Sequence, residues 1–164
     1  HNPCTFAHCS LYLQPDPVYK NASGTFEWTT DIGRARENPA LYARGTEGID
    51  RNENLLYFVC KTDSLFFILD LDRMTFVMYP ANVGLFDGQP DQVKRMVNDT
   101  QDILYFTEAG TAGTSGVHGR NSKCQYFTIL ESPGYETEET TCLAFSPNAL
   151  HMYVTLQDPG VLFD

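Results

Sequence analysis

A chain of 164 residues with 42% apolar and 20% charged side chains has the composition of a globular domain, not of a disordered segment. Its formal net charge of −10 argues against a nucleic-acid binder, which needs a basic surface to displace counterions. No apolar run approaches the roughly 20 residues that a membrane-spanning helix needs, and the aromatic content of 13% suits a strand-rich fold.

The chain opens with a lead-in, residues 1–44, that carries Pro3, Pro15 and Pro17 and reads as poor in strands, with room for a partial structural unit. His1, Cys4, His8 and Cys9 are all metal-ligand types. The spacing lies at the edge of zinc-knuckle patterns and no second ligand pair follows, so a disulfide or uninvolved side chains is the expectation. The chain has five cysteines, an odd number, so at least one is free or pairs outside the segment; Cys60 and Cys142 read as buried strand thiols. Two sequons, at Asn21 and Asn98, mark candidate N-glycosylation sites, and with the cysteines they point to a secreted or lumenal protein. The stretch 25–32, with the single tryptophan Trp28, reads as one strand.

From residue 45 onward the pattern repeats. Leu55-Leu56-Tyr57-Phe58, Ile103-Leu104-Tyr105-Phe106 and His151-Met152-Tyr153-Val154 align on tyrosines 48 residues apart (57, 105, 153). An apolar residue stands eight positions before each: Ile49, Val97 and Phe145. Polar turn residues lie between. A period of about 40–50 residues with several short strands is the signature of β-propeller blades. The expectation is therefore an all-β fold, three four-stranded blades over 45–164 with the last incomplete. A propeller closes with about four blades or more, so a fragment of a larger propeller is expected. An evenly spaced β-sandwich is the alternative. The first repeat has strands at 46–50, 55–60, 65–70 and 75–79, and the second at 92–97, 103–107 and 124–130. The segment 108–123, rich in glycine, reads as a long loop that could carry binding groups. The third has strands at 141–145, 151–156 and from 161.

Three acids mark the entries of inner strands. Asp91 and Glu139 each lie 14 residues before their tyrosine, and Glu47 lies 10 before its own. In a propeller such entries surround the mouth of the central channel. Carboxylates gathered there would repel unless a cation joins them, and oxygen ligands suit Ca²⁺, Mg²⁺ or Fe³⁺. Turn and strand-end capping by the same acids is the plainer alternative. Glu108, at a strand end, is a further candidate. Arg44 and Arg120 are candidate phosphate or carboxylate contacts through their forked donors, and each is also a common surface residue.

The segment Glu139-Thr140-Thr141-Cys142-Leu143-Ala144-Phe145-Ser146-Pro147, followed by Tyr153-Val154 and Gln157-Asp158-Pro159-Gly160, resembles a signature of PhoX-type secreted phosphatases and their β-propeller relatives. Thr46-Glu47-Gly48-Ile49 and Gly116-Val117-His118-Gly119-Arg120 are similar to further parts of that pattern. The resemblance implies Ca²⁺ and Fe³⁺ at one end of the channel and hydrolysis of small phosphomonoesters. It makes Glu47 and Glu139 iron ligands, Asp91 and Glu108 calcium ligands, and Arg44 and Arg120 phosphate contacts. The family's cysteine-bearing segment is absent, Cys142 stands where the pattern has glycine, and Asn148-Ala149 replaces its Asp-Gly turn. A rival expectation is a non-catalytic, glycosylated, Ca²⁺-binding propeller that joins other protein subunits in an extracellular assembly.

Overall fold

A computed structural model describes residues 8–10, 23–31, 33, 35–36, 43–96, 100–110, 115–131, 133–135 and 137–164. Asn21, Asn98, Val97 and Cys4 lie outside them, as does the side chain of Cys9. The described chain is all-β.

Strand β1 (His8–Ser10) pairs with β3 (Glu27–Thr29) in a small two-stranded sheet. The first large sheet has the order β2-β7-β6-β5-β4, from β4 (Thr46–Asn52), β5 (Leu55–Cys60), β6 (Leu65–Asp70), β7 (Thr75–Pro80) and, on its outer edge, β2 (Ser23–Thr25). The second has four strands: β8 (Pro90–Arg95), β9 (Leu104–Glu108), β10 (Gly116–Arg120) and β11 (Tyr126–Glu131). The third has β12 (Thr140–Phe145), β13 (Met152–Leu156) and β14 (Val161–Phe163). Each of the three is an antiparallel meander.

The repeated tyrosines all sit on the second strand of their sheet, as their spacing suggests. Around them, β5 is covered on both faces. Tyr57 and Val59 join Phe66, Phe86, Val93, Leu104 and Phe106 between the first and second sheets. Phe58 and Cys60 turn the other way, onto Phe67, Leu69, Phe76 and Phe26. Phe58 stacks on Phe67 at 4.7 Å and 5°. Val117, Leu143 and Val154 close the space between the second and third sheets, with Tyr105 edge-on to Phe145 at 4.7 Å. Alternating side chains thus bond each sheet to the next, which period-two geometry requires of a stack of sheets.

Four sequence expectations are corrected. The stretch 25–32 is not one strand: it breaks at Phe26, whose N–H donates to the carbonyl of Met74 at 3.0 Å, and its two parts join different sheets. The glycine-rich segment 108–123 contains β10, every residue of which is buried. The apolar residue eight positions before the tyrosine is not a constant place: Val93, twelve before Tyr105, faces Phe106 as Ile49 faces Phe58, and Val97 lies outside the described residues. Cys142 is an exposed free thiol in a β-bulge, with φ 46°. Cys60 is buried and free, and burial pushes its thiol up to about 12. Cys124 is exposed and free.

The first strands lie side by side, and at Gly48 the two backbones almost touch. A Cβ there would stand 2.5 Å from Gln92 Cα and 2.8 Å from the carbonyl oxygen of Asp91. Neither group can swing aside as a side-chain tip could. Gly48→Ala is therefore expected to cost about 1–3 kcal/mol of unfolding free energy, as overpacking does. Chemical denaturation checks this; an unchanged midpoint would show that β4 and β8 separate freely.

Candidate functional site

One backbone bond recurs in all three sheets. The N–H of Lys61 donates to Gly45 O (2.7 Å), that of Ala109 to Gln89 O (3.1 Å) and that of Gln157 to Glu139 O (2.9 Å). These bonds bring the entry of each first strand against the exit of each second strand. Thr46, Pro90 and Thr140 face Cys60, Glu108 and Leu156 in register. Glu47 and Asp91 therefore hold equivalent places, as expected of acids at strand entries. Glu139 does not share that place. It lies one residue before β12, and Thr141 takes the position equivalent to Asp91.

The three acids are gathered by a cation that the spacing argument overlooked. Lys61 Nζ donates to Glu139 Oε1 and lies 3.5 Å from Asp91 Oδ1. Thr141 Oγ1 donates to Asp91 Oδ2 at 2.6 Å. Partial burial works against the Lys61 charge, but Glu139, Asp91 and Glu47 outweigh it and hold the ammonium above its ordinary value. Burial and the nearby Asp91 raise the Glu139 carboxyl, against the pull of Lys61. An isolated antiparallel backbone bridge between Ala109 and Glu139 ties the site to the second sheet. The signal for Lys61 was present: it stands four residues after Tyr57, where an antiparallel second strand returns to the entry of the first.

Glu108 and His118 form a separate, fully enclosed pair. Glu108 Oε2 lies 2.7 Å from His118 Nε2, and Oε1 accepts the N–H groups of Asp87 (2.8 Å) and Gly88 (2.9 Å). His118 Nδ1 bonds Thr128 Oγ1 at 3.2 Å, and its ring stacks on Phe86 at 4.8 Å. Desolvation raises the Glu108 carboxyl, partly offset by His118 and Gly88. Every carboxylate oxygen is occupied by a protein donor, so Glu108 ties β9 to the 87–88 turn and to β10.

The two arginines are parted from the acids in different ways. Arg44 is exposed and forks onto Asp63, with Nε at 2.9 Å and Nη2 at 2.5 Å from Oδ1. Arg120 is buried, 5% exposed, and faces Leu104 across the ladder. Glu108 lies at the other end of β9, about 13 Å along the strand. The Arg120 guanidinium sits over the Tyr79 ring at 4.3 Å, with Phe66 and Tyr126 at 5.1 and 5.8 Å, and Nη2 donates to Cys124 Sγ at 2.8 Å. Tyr126, whose hydroxyl donates to Pro80 O at 2.8 Å, is pushed up to about 12 by burial.

This arrangement does not fit the Ca²⁺ and Fe³⁺ that the PhoX resemblance implies. Among the described residues no group of three His, Cys, Asp or Glu side chains is disposed to hold a metal ion. Glu139 and Asp91 already share an ammonium, Glu108 is saturated by donors, and among the described residues no cysteine sulfur contacts either group. No helix of the described residues is long and apolar enough to cross a membrane.

No family model matches the sequence, and no curated protein is significantly similar to it. Among solved structures the chain is similar to virginiamycin B lyase from Staphylococcus aureus, a β-propeller, with a TM-score of 0.51 and 15% identity over 73% of this chain. The chain spans 40% of the lyase's length. At that identity the likeness shows fold alone: stacked antiparallel sheets of the kind that form propeller blades.

Two outcomes follow from these contacts. Glu108→Ala leaves His118 and two N–H groups without their buried acceptor and is expected to cost about 3–5 kcal/mol; equilibrium unfolding checks it. Lys61 has a native pKa above its unfolded one, so its contribution is present below the ordinary lysine value of about 10.4 and is lost as pH rises through the native value. Lys61→Met should therefore flatten the alkaline fall in melting temperature. A fall of the same size in the variant would remove Lys61 from the account.

Proposed function

We propose that the three sheets are consecutive blades of a larger β-propeller, and that this part of it is a non-catalytic binding scaffold within an extracellular assembly. The blade reading is supported by the side-by-side first strands, by the meander order and by the likeness to a propeller of which the chain spans 40%.

The observation that carries the non-catalytic reading is Lys61. Its ammonium takes the position among Glu139, Asp91 and Glu47 at which a metal-dependent hydrolase would need its ion. The phosphate contacts expected at Arg44 and Arg120 do not converge on that position. N-glycosylation at Asn21 and Asn98 belongs to the same proposal, as does a secreted location.

A second reading, a PhoX-like phosphomonoester hydrolase using Ca²⁺ and Fe³⁺, is favoured by one observation besides the sequence motif. Glu47, Asp91 and Glu139 do gather at one end of the first strands. Metal content measured after exposure to calcium and iron, together with hydrolysis of a generic phosphomonoester, separates the two. The scaffold reading expects no stoichiometric iron and no turnover in the wild type or in Glu139→Gln. Bound iron with turnover that Glu139→Gln abolishes would overturn it and establish the hydrolase.

A further inference from the structure

Between the first and second sheets, at the end away from the acid cluster, lies a pocket of about 230 Å³. Tyr57, Tyr79, Arg95, Arg120, Asn121 and Cys124 are among its lining residues. Its two cations are treated differently. Arg95 Nη1 reaches Asp102 Oδ1 at 2.6 Å and Tyr57 Oη at 3.1 Å, so its charge has a counter-ion. Arg120 has none among the described residues. It is 5% exposed, its Nε finds no acceptor, and its partners are aromatic faces, the Tyr126 hydroxyl and one cysteine sulfur, none of them a carboxylate.

A buried cation without a counter-anion is costly even after relaxation. Cation–π contacts offset only part of that cost. In a chain of net charge −10 with 21 acidic residues, a buried arginine with no carboxylate among the described residues calls for another source of negative charge. The wall of an open pocket is where such a charge can arrive from solvent. Guanidinium suits a planar or tetrahedral oxyanion, because its donors form a fork that matches carboxylate and phosphate oxygens.

We infer that this pocket between the first two sheets is a binding site for a small oxyanion, a carboxylate or phosphate group, held by Arg120 with Arg95 at its rim. The aromatic rings of Tyr57 and Tyr79 would receive the body of a ligand that carries such a group. The site is spatially separate from the acid cluster, and it rests on the pocket's geometry and not on the phosphate role that the PhoX resemblance gives Arg120.

Cys124 supplies a reporter, since its sulfur touches Arg120 and it is exposed, while Cys142, also exposed, serves as the internal control. Alkylation by neutral iodoacetamide is followed at each cysteine by mass spectrometry. Inorganic phosphate and succinate are titrated in separate arms, against sodium chloride at equal ionic strength. Protection of Cys124 should saturate, reaching about tenfold at ten times the half-effect concentration, with Cys142 unaffected. The arm with the lower half-effect concentration identifies the oxyanion type. Arg120→Gln should abolish the protection. If that variant does not fold, Arg120→Lys keeps the charge without the fork and should raise the half-effect concentration. No saturable protection in either arm, equal protection of Cys142, or unchanged protection in the variant that folds would overturn the site.

Discussion

The contact on which the arrangement depends is the approach of two backbones at Gly48. A glycine there lets β4 lie against β8 with Gln92 Cα where a Cβ would be. That approach brings the first strands of two sheets side by side, so that Tyr57, Val59 and Phe66 meet Val93, Leu104 and Phe106 with no intervening layer. It also places Glu47 beside Asp91 at the same end. Packing and charge are therefore not separate designs: the spacing that fills the core also crowds the acids, and the crowding has to be answered by something positive.

Lys61 answers it cheaply. A divalent ion would have to be stripped of water and held by several oxygens at once. A lysine at the exit of β5 arrives tethered, already on the correct side of the sheet. Its single charge against three carboxylates leaves the cluster short by two (one positive, three negative). The Thr141 hydroxyl, which donates to Asp91 Oδ2 at 2.6 Å, offsets part of the surplus as a dipole. The cluster thus resembles a structural ion-pair network more closely than a site poised for chemistry.

The second strands were legible because a tyrosine between apolar neighbours recurs every 48 residues, and β5 and β9 are largely buried on both sides. The first strands were harder to place, because the hairpins joining first to second strands differ. Glu53-Asn54 joins β4 to β5, whereas residues 96–103 join β8 to β9 and residues 146–151 join β12 to β13. Counting back from the tyrosine therefore slides the register, which made Glu139 seem equivalent to Asp91. Strand β10 was hidden for another reason. Gly116-Val117-His118-Gly119-Arg120 has low strand propensity, and its burial comes from tertiary partners: Glu108 for His118 and aromatic faces for Arg120. The one pairing that would have revealed it, an acid at a strand end with a buried histidine ten residues on, is not a periodic signal.

The repeats also show how one backbone plan yields unlike sites. The residue donating the shared backbone bond is Lys61, Ala109 or Gln157, and the residue at the acid position is Glu47, Asp91 or Thr141. The bond itself is indifferent to these side chains, because only N–H and C=O take part. Each sheet can then vary its charge without disturbing the shared backbone geometry, which is how a repeated fold separates scaffold from site. The first sheet supplies the cation, the second an acid that needs it, and the third a hydroxyl that orients that acid. Charge at this end is accordingly a property of neighbouring sheets together, and a single repeat read alone would show no site at all.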